Sequence, residues 1–179
     1  MIPIFIAALT SVAVGSRGEL LAALKLGRLG RAEIAFVLLI SATAALALLI
    51  WVWALEPDLS DFKAMLPSWS VPALVGAGIG FAVINAVLEE VIWRGIFQHW
   101  LLSVAPAAVA VVLQALSFGA AHYRGFPSGF VGVGLSTLYG LMLGALALRS
   151  RGLLAPIVAH VTADAVIFAI IASSVEAGA

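Results

Sequence analysis

Six ionisable side chains lie within stretches of sequence that are otherwise almost entirely apolar: Glu89, Glu90, Arg94, His122, His160 and Asp164. A charged group inside a membrane span costs roughly 3 kcal/mol on insertion scales, so it is found where it faces a bundle interior or a water cavity, usually for function. Carboxylate and imidazole groups exchange protons, and together they can activate a water molecule and stabilise the charge that its attack produces. The set therefore indicates a functional site inside a membrane.

Four-residue spacings place these side chains on particular helix faces. Glu90 and Arg94 share one face, where an ion pair would offset the cost of both charges. Asn85 and Glu89 are also four residues apart and share a face. This is a different face, because the consecutive residues Glu89 and Glu90 point about 100° apart around the helix axis. Glu89 then has no cation on its own helix and is the candidate general base. The pair of Glu90 and Arg94 is expected to be mainly structural.

Depth in the membrane brings further helices to the same site. From a turn predicted at residues 103–106, Glu89 lies about 15 residues back and His122 about 16 residues forward, so both lie roughly 22–25 Å from it at about 1.5 Å per residue. His160 and Asp164 share a face of the last predicted helix. Their depth matches that of Glu89 more loosely, and helix tilt or unequal helix starts must bring them into register.

The elements that position these residues are predicted to be membrane helices. Of the 179 residues, 64% are hydrophobic and 10% are charged, whereas soluble domains have about a quarter charged residues. Because a span needs about 20 mainly apolar residues, we predict an all-α, polytopic transmembrane helix bundle of about six helices. These cover residues 1–15, 34–55, 71–102, 107–121, 129–148 and 153–171. Two Gly-x-x-x-Gly patterns, Gly76–Gly80 and Gly140–Gly144, predict close helix packing.

Charge divides the chain and excludes some functions. Residues 1–70 are predicted to form N-terminal membrane helices with a basic cytoplasmic loop, and residues 71–179 a catalytic helix bundle. The basic loop and the turn with Arg149 and Arg151 fall on one side, which the distribution of basic residues assigns to the cytoplasm. Nine basic and nine acidic residues cancel, so no basic surface for nucleic acid is expected. The chain has no cysteine, which excludes thiolate nucleophiles and disulfides.

Three short motifs follow one another along the chain, each on an apolar helix: Glu89-Glu90-x-x-x-Arg94, Phe118-x-x-x-His122 and His160-x-x-x-Asp164. With these motifs the sequence resembles the CPBP family of intramembrane proteases, the CAAX-protease and bacteriocin-processing group that includes the type II CAAX prenyl endopeptidases. The resemblance covers roughly residues 71–173. Each motif alone is a weak signal, and the three in order are a strong one.

The resemblance implies an intramembrane endopeptidase with a role for each of the six residues. Glu89 and His122 would hold and activate a water molecule that attacks a peptide carbonyl. His160 and the residue at position 164 would stabilise the oxyanion. The ion pair of the first motif would shape the site.

The family motif allows asparagine or aspartate at its last position, and this chain has aspartate, Asp164. A carboxyl group donates a hydrogen bond only when it is protonated, whereas an asparagine amide always can. Asp164 is therefore a doubtful oxyanion donor, and it can instead orient His160 and stabilise the charged form of that ring. The proposed role of His160 does not depend on this choice.

A metal is the chemical alternative to a glutamate base. Glu89, His122 and His160 could supply three zinc ligands and leave one position for water. The chain has no His-Glu-x-x-His helix, and the mechanism associated with the resembled family uses a glutamate base. We therefore predict that no cofactor is required, with zinc bound by these three residues as the alternative.

Two other functional classes are compatible with buried polar groups. One is a non-enzymatic membrane protein of the bacteriocin-immunity or partner-binding type, and the other is a proton-coupled carrier. A carrier usually has inverted repeats and broken helices in matching halves, and neither is evident here. The resemblance implies a peptide or protein substrate, and a membrane-associated or prenylated substrate is one option. The expected location of the protein is the plasma membrane of a bacterium.

Overall fold

The computed structural model describes residues 17–176, which contain seven helices and no strand. We number the helices α1 (Arg17–Ala23), α2 (Arg31–Leu55), α3 (Ser60–Ala64), α4 (Val71–Val104), α5 (Ala107–Ala121), α6 (Gly129–Ser150) and α7 (Leu154–Glu176). The predicted all-α class is confirmed. The short helices α1 and α3 were not predicted, because both are too short to show an apolar span.

Within residues 17–176, four helices are long and apolar enough to cross a membrane: α2, α4, α6 and α7. Helix α5 is apolar but has only 15 residues, and the span predicted at residues 1–15 lies outside the described residues. Seven helices with four candidate spans agree roughly with the predicted bundle of about six helices. The chain is thus a polytopic integral membrane protein, whose exposed apolar side chains are suited to lipid.

The sequence predicted a regular helix over residues 71–102, but helix α4 is irregular in its middle. It is α-helical over Val71–Glu90, π-helical over Val91–Gln98 and α-helical again over His99–Val104. A π-helix has more residues in each turn and occurs often at functional sites. Trp93, Arg94, Gly95, Phe97 and Gln98 of its eight residues are buried. The wider turn therefore lets most of this segment face the bundle, directly after Glu90.

Glycines permit the closest helix contact, which joins α5 and α6. A Cβ atom on Gly119 would lie 2.6 Å from the carbonyl oxygen of Val133, so only glycine fits at this crossing. Gly140 likewise lies against Ala115, as its motif predicted. In the described part of the chain, however, Gly76 and Gly80 face open space. The packing predicted for this pair is therefore not found among the described residues, and it stays a prediction.

Backbone hydrogen bonds join the segment before α2 to the turn between α6 and α7. The N–H of Arg28 donates to the carbonyl of Ser150, and the N–H of Leu153 donates to that of Lys25, both at 2.9 Å. The basic loop and the Arg149–Arg151 turn thus lie at the same end of the bundle, as predicted. At the other end, the rings of Phe62 and Phe126 are in contact.

A buried carboxylate reinforces this junction. Glu33 is 4% exposed and lies between two arginines, 3.4 Å from Arg28 Nε and 3.8 Å from Arg149 Nε. Its Oε2 also accepts the N–H of Gly30 at the start of α2. A carboxylate is favourable at a helix N-terminus because the helix dipole is positive there. These contacts fix α2 against α6 and α7, the helices that carry part of the site.

Candidate active site

Glu90 lies at the centre of a buried ionic cluster. Its Oε1 accepts a hydrogen bond from Arg94 Nη1 at 2.6 Å and lies 2.7 Å from His160 Nδ1. All three side chains are buried, and Glu90 is 0% exposed. The ion pair expected from the four-residue spacing is therefore present. The contact with His160 joins α4 to α7 across 70 residues of sequence.

Glu89 does not contact Arg94 and instead faces two histidine rings, His122 and the opposite edge of His160. Its Oε2 lies 3.8 Å from His122 Nε2 and 3.7 Å from His160 Nε2. These distances are too long for direct hydrogen bonds, and a polar gap of this kind suits a bridging water molecule. The Oε2 atom is itself buried and has no hydrogen-bond partner among the described residues. The depth argument that brought Glu89 and His122 together is thus correct.

The partners of each ring decide which nitrogen carries hydrogen. Nδ1 of His122 lies 2.8 Å from the carbonyl oxygen of Phe118, and a carbonyl oxygen only accepts, so Nδ1 carries the hydrogen. In the neutral ring, Nε2 of His122 is then an acceptor directed toward Glu89. By the same reasoning, Nδ1 of His160 donates to the Glu90 carboxylate. Neither Nε2 atom takes part in these two hydrogen bonds, so both can contact a molecule bound beside Glu89.

Asp164 lies beside His160 and is held by Asn85, a residue that was not among the six predicted site residues. Its Oδ1 lies 3.7 Å from His160 Nε2, and its Oδ2 accepts a hydrogen bond from Asn85 Nδ2 at 3.1 Å. Asn85 lies one turn before Glu89 on the same face of α4. The four-residue spacing gave a signal for Asn85, but its partner on α7 was not apparent from the sequence.

Tyr139 is a second neighbour that the sequence analysis did not assign to the site. Its ring meets the ring of His160 edge-on, with 5.6 Å between centroids. The Tyr139 hydroxyl is buried and has no hydrogen-bond partner in the described part of the chain. A buried hydroxyl without a partner is costly, so this group is available to a ligand or a water molecule. Nothing in the spacing of the motifs indicates a residue on α6.

A cavity of ≈ 140 Å³ adjoins these groups. His122, His160 and Asp164 form its polar end, and most of the remaining lining is apolar. A cavity of this composition suits a ligand with one reactive polar group and an apolar body. The site therefore combines a carboxylate, two imidazoles and space for a bound molecule.

The residues of the zinc alternative do not form a compact ligand set. Among residues 17–176, no group of three or more histidine, aspartate or glutamate side chains is arranged to hold a metal ion. Zinc binds imidazole nitrogen at about 2.0–2.1 Å and carboxylate oxygen at about 2.0–2.2 Å. In a tetrahedral site with these bond lengths, two ligand atoms lie about 3.3–3.5 Å apart. The separations of 3.7 and 3.8 Å between Glu89 Oε2 and the two ring nitrogens are slightly longer, and the choice between zinc and a glutamate base is left to experiment.

The apolar spans and the polar group between them define the class of the protein, an integral membrane helix bundle with a site inside it. The sequence model of the type II CAAX prenyl endopeptidase Rce1-like family matches residues 68–166, more than half of the chain. The chain belongs to this family, as the resemblance to the CPBP group implied. The match contains all six predicted site residues. Searches of curated proteins and of solved structures found no match.

The hydrogen bond between Asn85 and Asp164 gives the first prediction. Replacing Asn85 with aspartate should place two carboxyl groups in contact and reduce kcat/KM for peptide cleavage by about 10-fold or more, since a hydrogen bond to a charged group contributes about 1.5–3 kcal/mol. Adding Asp164→Asn should restore most of the activity, because the amide would then donate in the opposite direction.

Cleavage rates of the two single variants and the double variant, measured on the same peptide, test this interaction. Asp164→Asn alone keeps an acceptor for Asn85 and should retain activity. A double variant no more active than Asn85→Asp would show that the two side chains do not depend on each other.

Proposed function

We propose that this protein is an intramembrane endopeptidase in which Glu89 and His122 activate a water molecule. The observation that carries the proposal is the position of Glu89 Oε2, 3.8 Å from His122 Nε2 and 3.7 Å from His160 Nε2. A water molecule in this gap would donate one hydrogen to the carboxylate and lie beside a ring nitrogen. Membership in a family of CAAX-type intramembrane proteases supports the same reaction class.

The reaction begins when water loses a proton to Glu89 and its oxygen forms a bond to the peptide carbonyl carbon. The carbonyl oxygen then becomes an oxyanion. When His160 is doubly protonated, with its Nδ1–H on Glu90, its Nε2–H faces acceptor oxygens of Glu89 and Asp164 and could donate to the oxyanion. Glu89 next returns its proton to the amide nitrogen as the C–N bond breaks. The products are a carboxylic acid and an amine, which become a carboxylate and an ammonium ion once the acid gives its proton to the amine.

The Glu90–Arg94 pair would support this chemistry without contacting the substrate. Glu90 holds His160 through Nδ1, which orients the opposite nitrogen toward the reacting groups. Arg94 balances the charge of Glu90, donates to the carbonyl of Gly140 at 3.4 Å and lies over the ring of Phe118. These contacts join α4 to α5, α6 and α7.

The proposed substrate is a peptide segment of a membrane-associated protein, and the proposed location is the plasma membrane of a bacterium. The family description contains the words prenyl endopeptidase, so a prenylated C-terminal peptide is one substrate to test. Glu89, His160 and Asp164 lie within the span-forming helices α4 and α7, which requires a substrate that reaches into the bilayer. Soluble partners and nucleic acid have no place in this proposal.

To test the proposal, purified protein in lipid vesicles is incubated with a mixture of synthetic peptides of varied sequence. Some of the peptides carry a C-terminal prenylcysteine motif and the others do not. Mass spectrometry should detect paired cleavage products that are absent when Glu89→Gln protein is used. A non-enzymatic protein or a carrier would give no products. Failure to cleave any peptide, with the protein folded and oriented in both directions, would contradict the proposed function.

The second prediction concerns metal. If Glu89 is the base, a strong chelator should leave the initial rate of peptide cleavage unchanged, because no ligand exchange takes part in the reaction. In the zinc alternative, the same treatment should abolish cleavage, and added zinc should restore it. Metal content of the active protein, measured by mass spectrometry, is the control. About one zinc per chain with reversible inhibition would overturn the predicted absence of a cofactor.

A further inference from the structure

The cavity beside the site has a wall that belongs to α2. Thr43, Ala44 and Ala47 line it from this helix, opposite Leu135 and Leu138 of α6. The family match covers residues 68–166, so this wall lies outside the matched region. Its form is therefore a property of this chain that the family match does not describe.

The cavity opens between α2 and α6. Leu138 is 60% exposed and Thr43 is also exposed, so both lie at the rim. The two helices are membrane spans, and the exposed rim between them faces the lipid acyl chains. A molecule can therefore enter from the bilayer and reach His122 and His160 at the polar end.

The volume of the cavity limits what it can hold. It measures ≈ 140 Å³, close to an engineered apolar cavity of about 150 Å³ that binds one benzene molecule. One branched aliphatic or single-ring aromatic side chain fits this space. A whole prenyl chain does not fit, so such a chain would have to remain outside in the lipid.

We propose that this cavity is the subsite for one apolar side chain of the substrate, next to the peptide bond that is cut. The proposal rests on the proposed function, because the reacting carbonyl must lie beside Glu89 at the polar end. His160 is 3% exposed and presents its ring to the cavity, so the peptide backbone would lie there. The side chain would extend from it toward α2.

Ala47 is the residue that sets the size of this subsite. It lines the cavity and is partly buried, and its methyl group leaves the space that the substrate side chain would occupy. A larger group at position 47 would fill that space. Ala42 lies on the same helix but is exposed and does not line the cavity, which makes it a matched control.

The absence of cysteine from the chain allows a direct experiment. Ala47→Cys and Ala42→Cys are each treated with a methyl or a benzyl methanethiosulfonate, which attaches a small or a bulky group through a disulfide. Vesicles of each protein receive peptides that carry glycine, alanine, valine, leucine or phenylalanine next to the cut bond. Mass spectrometry then gives kcat/KM for each peptide.

The benzyl group at position 47 should reduce cleavage of the leucine and phenylalanine peptides by about 10-fold or more, since apolar pockets discriminate side chains by roughly 10- to 200-fold for each methylene. The glycine and alanine peptides should be affected much less. The same group at position 42 should change no preference. Unlabelled Ala47→Val, which adds little bulk to the fold, should shift the preference in the same direction.

Three results would overturn the subsite. One is an equal loss for all peptides when position 47 is labelled, and another is an equal effect of labels at positions 42 and 47. The third is an unchanged preference in both the benzyl-labelled and the Ala47→Val proteins. If the unmodified protein cleaves no peptide at all, the proposed function fails, and the subsite fails with it.

Discussion

Replacing Glu89 with glutamine is expected to reduce peptide cleavage by about 10²- to 10⁴-fold, the usual contribution of a general base. Glutamine keeps the size and the hydrogen-bonding capacity of the side chain but cannot take a proton from water. Since Glu89 Oε2 has no hydrogen-bond partner among the described residues, the substitution breaks no hydrogen bond of this atom within the fold. The variant should therefore melt at the temperature of the unmodified protein while its initial rate of cleavage falls.

A matched substitution elsewhere separates the chemistry from a general change of charge. Asp61 lies in the exposed helix α3, and Asp61→Asn should leave the rate unchanged. His122→Ala should lower the rate as Glu89→Gln does, because both groups would bind the same water molecule. Near-normal turnover by Glu89→Gln would show that another group is the base.

Replacing Arg94 with alanine is expected to destabilise the protein by about 3–5 kcal/mol, the typical result of removing one partner from a buried ion pair. Glu90 is 0% exposed and would keep only the contact with His160. The substitution also removes the stacking of the guanidinium on Phe118. Thermal unfolding in detergent should show a lower midpoint, and the amount of protein in the membrane should fall.

The double variant Glu90→Gln with Arg94→Gln should recover part of this loss, because it removes both charges and leaves two groups that can hydrogen-bond. Arg124 is exposed in the short 3-10 turn that follows α5, and Arg124→Ala should change stability by no more than about 0.5 kcal/mol. The two variants are compared by the same unfolding measurement. If the double variant is no more stable than Arg94→Ala, the two buried side chains do not act as a pair.

Several features of the site could be predicted because they depend on position along one helix. The four-residue spacing of Glu90 and Arg94 was enough to predict their contact, since a helix places such residues on one face. Apolar runs long enough to cross a bilayer predicted the spans. The length of the chain between Glu89 and His122 predicted their similar depth, and the structure places them 3.8 Å apart. The catalytic roles of these residues stay predictions.

Other features depend on how the helices turn and tilt against one another. Close packing of α5 on α6 at Gly119 and the wider π-helical turn after Glu90 set which side chains face the centre. Spacing along a single helix does not encode these rotations, because they result from the fit of several surfaces at once. For this reason the hydrogen bond from Asn85 to Asp164 and the contact of Tyr139 with the His160 ring were not apparent from the sequence.

Hydropathy and helical periodicity are local properties, so they were enough to predict a membrane helix bundle with three polar motifs. The contact of His160 with Glu90 across 70 residues became apparent only once the helices were packed, as did the place of Ala47 of α2 in the cavity wall. These contacts join distant parts of the chain, and their geometry follows from the packing of whole helices. The same packing leaves the cavity open beside the two histidines.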